Sequence, residues 1–250
     1  MKKFFQSFGI ILLVFFSFVY TEKTTKVVRE YDNIMIEIKK QKNIDPIDAI
    51  VAENTIIPGI SGKNINEDKS YINMKQYGKF NKNLLVYNKV MPKETLEKNK
   101  NKFIISGNKN KRMVSLNFIV DDEDINKILK YNIKSNFFVK KISNFDIGNN
   151  VIGFYEKYDD WIKSVAKSKN IEIKYCFSEI DTNCFDNNLF VIKTKIIDNN
   201  FLYNTKKLLY NGAILTYKIN SKFYNEFNLI INYINSKGYE IVLLDTLLEE

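Results

Sequence analysis

The hydrophobic pattern of this chain changes abruptly after the first twenty residues. Residues 4–20 form an uncharged apolar run that follows Lys2 and Lys3 and ends in polar residues. A run of this length approaches the roughly 17–25 residues of a membrane-spanning helix and is long for a signal-peptide core. The nearest small-residue cleavage site, at residues 17–19, places a valine before the cut. We therefore predict an uncleaved signal-anchor over residues 1–22, with a cleaved signal peptide or a buried core helix as the alternatives.

The lysines before the apolar run set the expected orientation. Positive residues favour the cytoplasmic side of a membrane, so we expect the N-terminus inside and the remainder of the chain outside. The next segment, residues 23–44, carries an apolar stripe at helical spacing that predicts an amphipathic helix, ended by the Asp-Pro pair at residues 45–46. This helix is either a stalk that continues the membrane helix or an element packed on a domain. The stripe consists of Val27, Tyr31, Ile34 and Ile38.

A small α+β region is predicted over residues 45–111. Short apolar runs at residues 49–51 and 56–57 are separated by turn residues, which is typical of short strands. Asn66 is placed to begin a helix that ends at Gly78, and a further strand follows over residues 84–90. A lysine- and asparagine-rich stretch then leads to the boundary that we predict at residue 111.

From residue 112 to residue 250 the pattern alternates between strands and helices. Alternation with short connections predicts a parallel sheet or barrel. The predicted strands cover residues 114–120, 135–139, 171–177, 189–192, 212–217 and 240–244, and the predicted helices cover residues 122–130, 154–168 and 224–236.

The composition of the chain argues against a nucleic acid partner and excludes catalytic and metal sites that need histidine. The chain has 45% hydrophobic and 14% aromatic residues, which supports a folded core, and a net charge of +9. The lysines are dispersed and no nucleic-acid-binding signature accompanies them, so we expect no nucleic acid partner. The chain contains no histidine. A Ser-His-Asp triad, a His-paired cysteine nucleophile and a histidine-bearing zinc site are therefore excluded.

Two cysteines, Cys176 and Cys184, lie eight residues apart. In an oxidising compartment they would form a disulfide, and otherwise they are two buried thiols. The spacing lacks the C-x-x-C pattern of redox or zinc sites. The sequence leaves both readings open.

Three separated segments resemble polysaccharide deacetylases of the NodB-homology family, in the family's order. VSLNFIVDDEDINKILKYNIKSNFFV, residues 114–139, resembles the first strand ending in T-F-D-D-G, the helix and the second strand of that family. NNVIGFYEKYD, residues 149–159, aligns with the G-H-E-I-G-N-H segment, and residues 212–250 resemble the closing strand, helix, K-G-Y and strand. The resemblance implies a distorted (β/α) barrel over residues 112–250.

The family's catalytic residues are replaced in this sequence. The resemblance places the Asp pair, a general base and a metal ligand, at Ile119 and Val120. The two metal-binding histidines fall on Tyr155 and Asp159, and the late histidine, the general acid, falls on Lys218. The family uses a divalent metal, usually zinc, but its ligands are absent here, so we expect no metal and no catalytic residues.

An acidic cluster follows the missing Asp pair at residues 121–124. Such a cluster either supplies oxygen ligands to a hard cation or stabilises the N-terminus of the next helix. The cluster lies two residues beyond the family positions and has no imidazole partner. We therefore favour the helix-stabilising reading.

These observations predict a membrane-anchored, extracytoplasmic and noncatalytic deacetylase-like protein. Its ligand would be a carbohydrate or cell-wall polymer bound in the former substrate groove, or a partner protein. One alternative is a carbon–nitrogen hydrolase that deacetylates a surface glycan with a rebuilt site, and another is a structural module without a ligand. A secreted form is the alternative localisation. The predicted ligand-binding residues are Tyr155, Asp159, Trp161, Tyr217 and Lys218.

Overall fold

The computed structural model describes residues 2–140, 151–155, 160–168, 170–180 and 183–250. In chain order its helices are α1 (Lys2–Lys39), α2 (Glu67–Lys75), α3 (Asp122–Leu129), α4 (Asp160–Ser168), α5 (Asn183–Asp186), α6 (Phe201–Leu208), α7 (Phe223–Ser236) and α8 (Leu244–Leu247). Its strands are β1 (Ile50–Val51), β2 (Thr55–Ile57), β3 (Gly62–Ile65), β4 (Tyr87–Val90), β5 (Phe103–Ile104), β6 (Met113–Ile119), β7 (Asn136–Val139), β8 (Val151–Tyr155), β9 (Tyr175–Phe177), β10 (Phe190–Ile192), β11 (Ile196–Ile197), β12 (Ile214–Lys218) and β13 (Glu240–Val242).

The chain divides into two compact units. The first contains Met1–Pro46 and Ser61–Val90, and the second contains Ile47–Ile60 and Met91–Glu250. These units do not follow the division that we predicted at residue 111, because β1, β2 and β5 pair into the sheet of the second unit. How the chain divides into folding domains stays a prediction.

In the first unit, the predicted anchor and the amphipathic segment form one continuous helix. The 38 residues of α1 span about 57 Å at roughly 1.5 Å per residue, which exceeds the roughly 30 Å hydrocarbon core of a bilayer. Phe8–Lys39 is long and apolar enough to cross a membrane, and no other helix in the described ranges is. A signal sequence near an N-terminus meets the same criterion.

The last turns of α1 pack within this unit. Ile34, Met35 and Ile38 are buried in a cluster with Met74 of α2. The side chain of Asn66 caps α2 by accepting a hydrogen bond from the Lys69 amide at 2.9 Å, as the sequence predicts. Strands β3 and β4 pair antiparallel beside these helices. Packing within this unit therefore explains the C-terminal half of the amphipathic stripe, Ile34 and Ile38.

The second unit is built on one curled sheet with the strand order β1-β2-β5-β10-β9-β8-β7-β6-β12-β11, and β13 also pairs with β6. Every strand pair except β1 with β2 is parallel. The predicted α/β fold with a distorted, parallel-stranded barrel is thus confirmed, and the sheet curls into a half-barrel.

The sheet has an apolar core on each face, since successive strand residues point to opposite sides. On β6, Leu116 and Phe118 belong to the outer core, where α7 packs with Phe227. Ile119 belongs to the inner core, which Leu247 of α8 also joins. The outer core lies between the curled sheet and the helices that cover its outside, and the inner core fills the concave side of the sheet.

One predicted element is wrong. The helix predicted over residues 154–168 begins only at Asp160, and Val151–Tyr155 is strand β8. Phe154 is completely buried in the outer core of the sheet. Phe154 is apolar because it lies on a buried strand. A short apolar run of this kind fits a helix or a strand equally well when only the sequence is known. Strand β11 and the helices α5, α6 and α8 were not predicted.

Candidate functional site

Two of the family's catalytic positions lie side by side in the structure. Ile119 is the last residue of β6, Lys218 is the last residue of β12, and the two are paired in register. The carboxyl ends of parallel strands meet at one edge of a sheet, where α/β folds place their sites. The carboxyl ends of β6 and β12 therefore lie on one rim of the sheet.

Apolar side chains occupy the two positions that the resemblance assigns to the family's Asp pair. Ile119 is 9% exposed and lies in the inner core with Phe138 and Phe177, whereas Val120 is 6% exposed and lies in the outer core. The two side chains thus belong to opposite faces of the sheet and neither carries a metal ligand. A hard cation needs oxygen ligands that these side chains lack.

Tyr155, at the first metal-histidine position, is the last residue of β8 and is half-buried. Its ring stacks on Phe177 with a centroid distance of 6.0 Å, and the ammonium of Lys140 lies 5.2 Å from the ring centroid. Beneath it, Gly153 is needed for close packing, because an added Cβ would lie 2.5 Å from the ring of Phe138. The inner face at this end of the sheet is therefore filled by aromatic rings.

The prediction that Tyr217 binds a ligand at this site is wrong. Tyr217 is completely buried in the outer core, where its ring stacks on Phe118 at 5.8 Å. Its hydroxyl shares a hydrogen bond of 2.8 Å with that of Thr205, and burial raises the pKa of Tyr217 above its ordinary range. The strand period of two explains the error, since Tyr217 and its neighbour Lys218 face opposite sides. Lys218 itself is exposed.

Two predicted ligand-binding residues stay predictions. Asp159 lies outside the described residues. Trp161 belongs to α4, but its side chain is outside the described part of the chain. The described candidates at the rim are therefore Tyr155 and Lys218.

The residues present do not fit the family's metal. Among the described residues, no group of three or more His, Cys, Asp or Glu side chains could hold a metal ion. Within the acidic cluster, Asp121 occupies the N-cap position of α3 without a side-chain capping hydrogen bond. Asp124 accepts a hydrogen bond from the Tyr224 hydroxyl at 2.7 Å and lies 3.3 Å from the Lys127 ammonium of the same helix. These contacts support the helix-stabilising reading of the cluster.

Sequence reasoning missed a buried polar row across the inner face of the sheet. Asn117 of β6 is paired in register with Thr216 of β12 and Asn136 of β7. The Asn136 amide donates to the Ser115 hydroxyl at 2.7 Å, and its oxygen accepts from the Leu244 amide at 3.0 Å. Asn117 is fully buried, and both of its amide atoms lack a hydrogen-bond partner among the described residues. The alternation of serine and asparagine with apolar residues along β6 was the signal for this row.

Cys176 and Cys184 are joined by a disulfide that links β9 to α5. Their Cα atoms are 6.2 Å apart, within the usual range for bridged cysteines. Both residues are completely buried in the outer core. Of the two readings left open by the sequence, the structure has the bridge.

Comparison with known proteins extends these observations. No family model matches the chain. A segment of 90 residues is 38% identical to the uncharacterized protein YlxY of Bacillus subtilis, and it covers 34% of this chain and 28% of that protein. The chain thus matches less than a third of the length of this curated relative.

Solved structures match most of the chain. A mutant of BA3943, a CE4 family pseudoenzyme, superposes with a TM-score of 0.62 and 21% identity over 87% of this chain and 98% of that one. Wild-type BA3943 from Bacillus anthracis superposes with a TM-score of 0.62 and 20% identity, over 87% of this chain and 95% of that one. A further BA3943 mutant, described as having restored enzymatic activity, superposes with a TM-score of 0.59 and 20% identity, over 87% of this chain and 98% of that one. The chain therefore shares the α/β fold of these CE4 family pseudoenzyme structures.

Proposed function

We propose that this protein is a membrane-anchored, extracytoplasmic and noncatalytic deacetylase-like protein that binds carbohydrate or a cell-wall polymer at the rim of its sheet. The observation that carries the proposal is the replacement of the Asp pair by the buried apolar residues Ile119 and Val120. Without that pair there is neither a carboxylate base to activate water nor a carboxylate to hold a metal. The likeness to BA3943, which is named a pseudoenzyme, supports the same conclusion.

The proposed binding surface is the rim formed by Tyr155 and Lys218. Tyr155 offers a half-buried ring, and the ammonium groups of Lys140 and the exposed Lys218 make this end of the sheet positive. Aromatic rings present a flat apolar face with a polar tip, which suits a sugar ring, and the lysines suit an acidic polymer. Trp161 and Asp159 are included in this surface as predictions from the sequence.

The extracytoplasmic location rests on two features. α1 is long and apolar enough to cross a membrane, with Lys2 and Lys3 at its start. The disulfide between Cys176 and Cys184 belongs to proteins of oxidising compartments. Both support an anchor with the second unit outside the cytoplasm, and cleavage of the same segment would produce a secreted form.

Acetate release tests the absence of catalysis. The full chain, in detergent micelles, is incubated with acetylated chitooligosaccharide and with peptidoglycan, with added zinc and with a chelator. We expect no release above the background. As a positive control, a variant combining Ile119→Asp, Val120→Asp, Tyr155→His, Asp159→His and Lys218→His restores the family residues and should gain zinc. Release by the natural chain that the chelator abolishes would instead establish the hydrolase with a rebuilt site.

Co-sedimentation with insoluble peptidoglycan tests the binding. We expect the full chain to sediment with the polymer, and Tyr155→Ala and Lys218→Gln each to weaken binding by about three- to tenfold. The matched controls are Tyr203→Ala and Lys207→Gln, which alter exposed residues of α6. Absence of sedimentation would contradict polymer binding and leave a partner protein as the ligand to be sought.

A further inference from the structure

Basic and aromatic side chains of the second unit gather at the amino ends of three strands. β6 pairs in parallel with β12 and with β13, so the residues that precede these strands lie at one edge of the sheet. Arg112 directly precedes β6, Tyr239 directly precedes β13, and Tyr210 lies shortly before β12. Lys218 ends β12 and therefore lies at the opposite edge. We define the amino-edge patch as Lys109, Arg112, Lys206, Tyr210, Tyr233 and Lys237.

Printed contacts join most of these side chains into one surface. The ammonium groups of Lys206 and Lys237 lie 5.3 Å and 5.5 Å from the ring centroid of Tyr233. The guanidinium of Arg112 donates a hydrogen bond to the Lys237 carbonyl at 2.7 Å. The same guanidinium lies 5.7 Å from the ring centroid of Tyr239. Three cations and two aromatic rings are thus continuous along the ends of α6 and α7 and the start of β13.

An open depression continues the patch toward β12. Ser106, Lys109, Tyr210 and Tyr239 are among the residues that line it. Tyr210 is 41% exposed, and Lys109 is exposed as well. A tyrosine has an apolar ring and a polar tip, and such side chains are enriched where lipid meets water. The patch therefore offers both charge and an amphipathic ring to the same partner.

The carboxylates around the patch are already engaged. Glu226 is the only carboxylate of α6 and α7, and it accepts a hydrogen bond from a backbone amide at 2.7 Å. Glu240 lies 3.6 Å from the Lys134 ammonium, and Asp245 lies 3.9 Å from the Lys174 ammonium. Little negative charge is therefore left to offset the cations of the patch, so the local field attracts an anionic surface.

The lysines of the patch have no such partners. Lys109, Lys206 and Lys237 are exposed, and within the described part of the chain none of them takes part in an ion pair. Lys206 and Lys237 lie near the C-terminal ends of α6 and α7, where a cation also complements the helix dipole. That role does not explain Lys109, the exposed Arg112 or the exposed ring of Tyr210.

We propose that the amino-edge patch docks on the surface of an anionic lipid bilayer, with its cations at the headgroup phosphates and Tyr210 at the boundary with the acyl chains. The choice of a bilayer rests on the membrane anchor of the proposed function, because an anchored chain keeps its second unit close to the bilayer. Docking by this edge directs the carboxyl ends of the strands away from the lipid. The rim of Tyr155 and Lys218 then stays open to a polymer.

Lysine modification in reconstituted vesicles tests this docking. The full chain is incorporated into vesicles of phosphatidylcholine alone, or of phosphatidylcholine and phosphatidylglycerol in equal parts, and is acetylated with a membrane-impermeant reagent. Mass spectrometry reports the rate at each lysine relative to Lys218, and this ratio cancels the fraction of chains that face the lumen. We expect the relative rates at Lys109, Lys206 and Lys237 to be about five- to tenfold lower in the anionic vesicles. High salt should remove the difference.

A pair of double variants assigns the protection to the patch. Lys109→Gln with Lys237→Gln should remove most of the protection of Lys206, because each charge near an anionic surface contributes about fivefold to binding. Lys167→Gln with Lys195→Gln removes the same charge from exposed positions outside the patch and should leave Lys206 protected. All four substitutions change exposed side chains, and circular dichroism of each variant verifies the fold.

Three results would overturn the docking. One is an unchanged rate at the patch lysines in anionic vesicles, and another is equal protection at the other exposed lysines, which indicates only general attraction by the net charge. The third is protection by soluble polyphosphate in neutral vesicles without protection by anionic lipid, which makes an anionic polymer the partner.

Extraction with alkaline carbonate tests the anchor separately from the docking. A chain that resists extraction while its patch lysines react freely keeps its anchor and refutes the docking. A chain that is extracted, yet whose patch lysines are protected when it is added to anionic vesicles, retains the docking and refutes the anchor of the proposed function.

Discussion

At the residue scale, the direction of each side chain decides its role. Ile119 and Val120 are neighbours in the sequence, yet one joins the inner core and the other the outer core. The same alternation removes Tyr217 from the candidate site and keeps Lys218 at its rim. From the sequence, Tyr155 and Tyr217 were both predicted to bind the ligand, and only the strand register separates them.

The buried polar row makes a residue-scale prediction about stability. Replacing Asn117 by valine removes two unpaired amide atoms from the inner face, so we expect the free energy of unfolding to rise by about 1–2 kcal/mol. Chemical denaturation of the detergent-solubilised chain, followed by circular dichroism, measures the change. Asn117 is flanked on β7 by Asn136, whose amide is fully engaged, and this neighbour provides the control.

Asn136→Val should lower the free energy of unfolding by about 2 kcal/mol or more, since it leaves the Ser115 hydroxyl and the Leu244 amide without their partner. If Asn117→Val and Asn136→Val lower the free energy of unfolding equally, the Asn117 amide has a partner, such as a bound water. This result would contradict the expected gain in stability for Asn117→Val.

At the element scale, the strands after residue 112 were predicted well because their apolar runs are long or alternate clearly. β6, β7 and β12 appear within two residues of the expected bounds. Phe154 and Tyr155 of β8 were mistaken for the start of a helix, since a short apolar run fits a helix or a strand equally well. β11 and α8 were missed because they are short and owe their existence to packing against the sheet.

The bridge between β9 and α5 makes an element-scale prediction. The Cys176–Cys184 disulfide closes a loop of eight residues, and replacing both cysteines by serine should lower the free energy of unfolding by roughly 2–3 kcal/mol. A reductant should destabilise the natural chain by a similar amount and leave the double serine variant unchanged. If denaturation of the natural chain proves insensitive to reductant, the thiols are not bridged in the isolated protein.

At the scale of the whole molecule, the free energy of unfolding should depend on alkaline pH. Burial, and then a hydrogen bond to Asp245, raises the pKa of Tyr175, whereas burial alone raises that of Tyr217. Burial followed by the Asp124 carboxylate raises the pKa of Tyr224. The unfolded chain ionises these hydroxyls near pH 10, but the folded chain keeps them protonated.

The stabilising contribution of these tyrosines is therefore complete below about pH 10 and is lost as the pH rises above that value toward the raised pKa values. Thermal unfolding measured between pH 8 and pH 12 should show a midpoint that falls beyond about pH 10. In Tyr217→Phe the fall should be shallower, whereas in Tyr203→Phe, which changes an exposed tyrosine, it should match the natural chain. A flat midpoint across this range would contradict the linkage.

The sequence by itself determined the α/β class, the apolar N-terminal helix and the absence of histidine chemistry. These properties depend on residue identity and on short-range periodicity, which are visible in a linear chain. Only the tertiary structure decided that Tyr217 is a core residue, that Asn117 is buried without partners, and that Ser106, Tyr210 and Tyr239 line one pocket. Each of these depends on which strands and turns meet across the fold, and such contacts join residues as far apart in the chain as Ser106 and Tyr239.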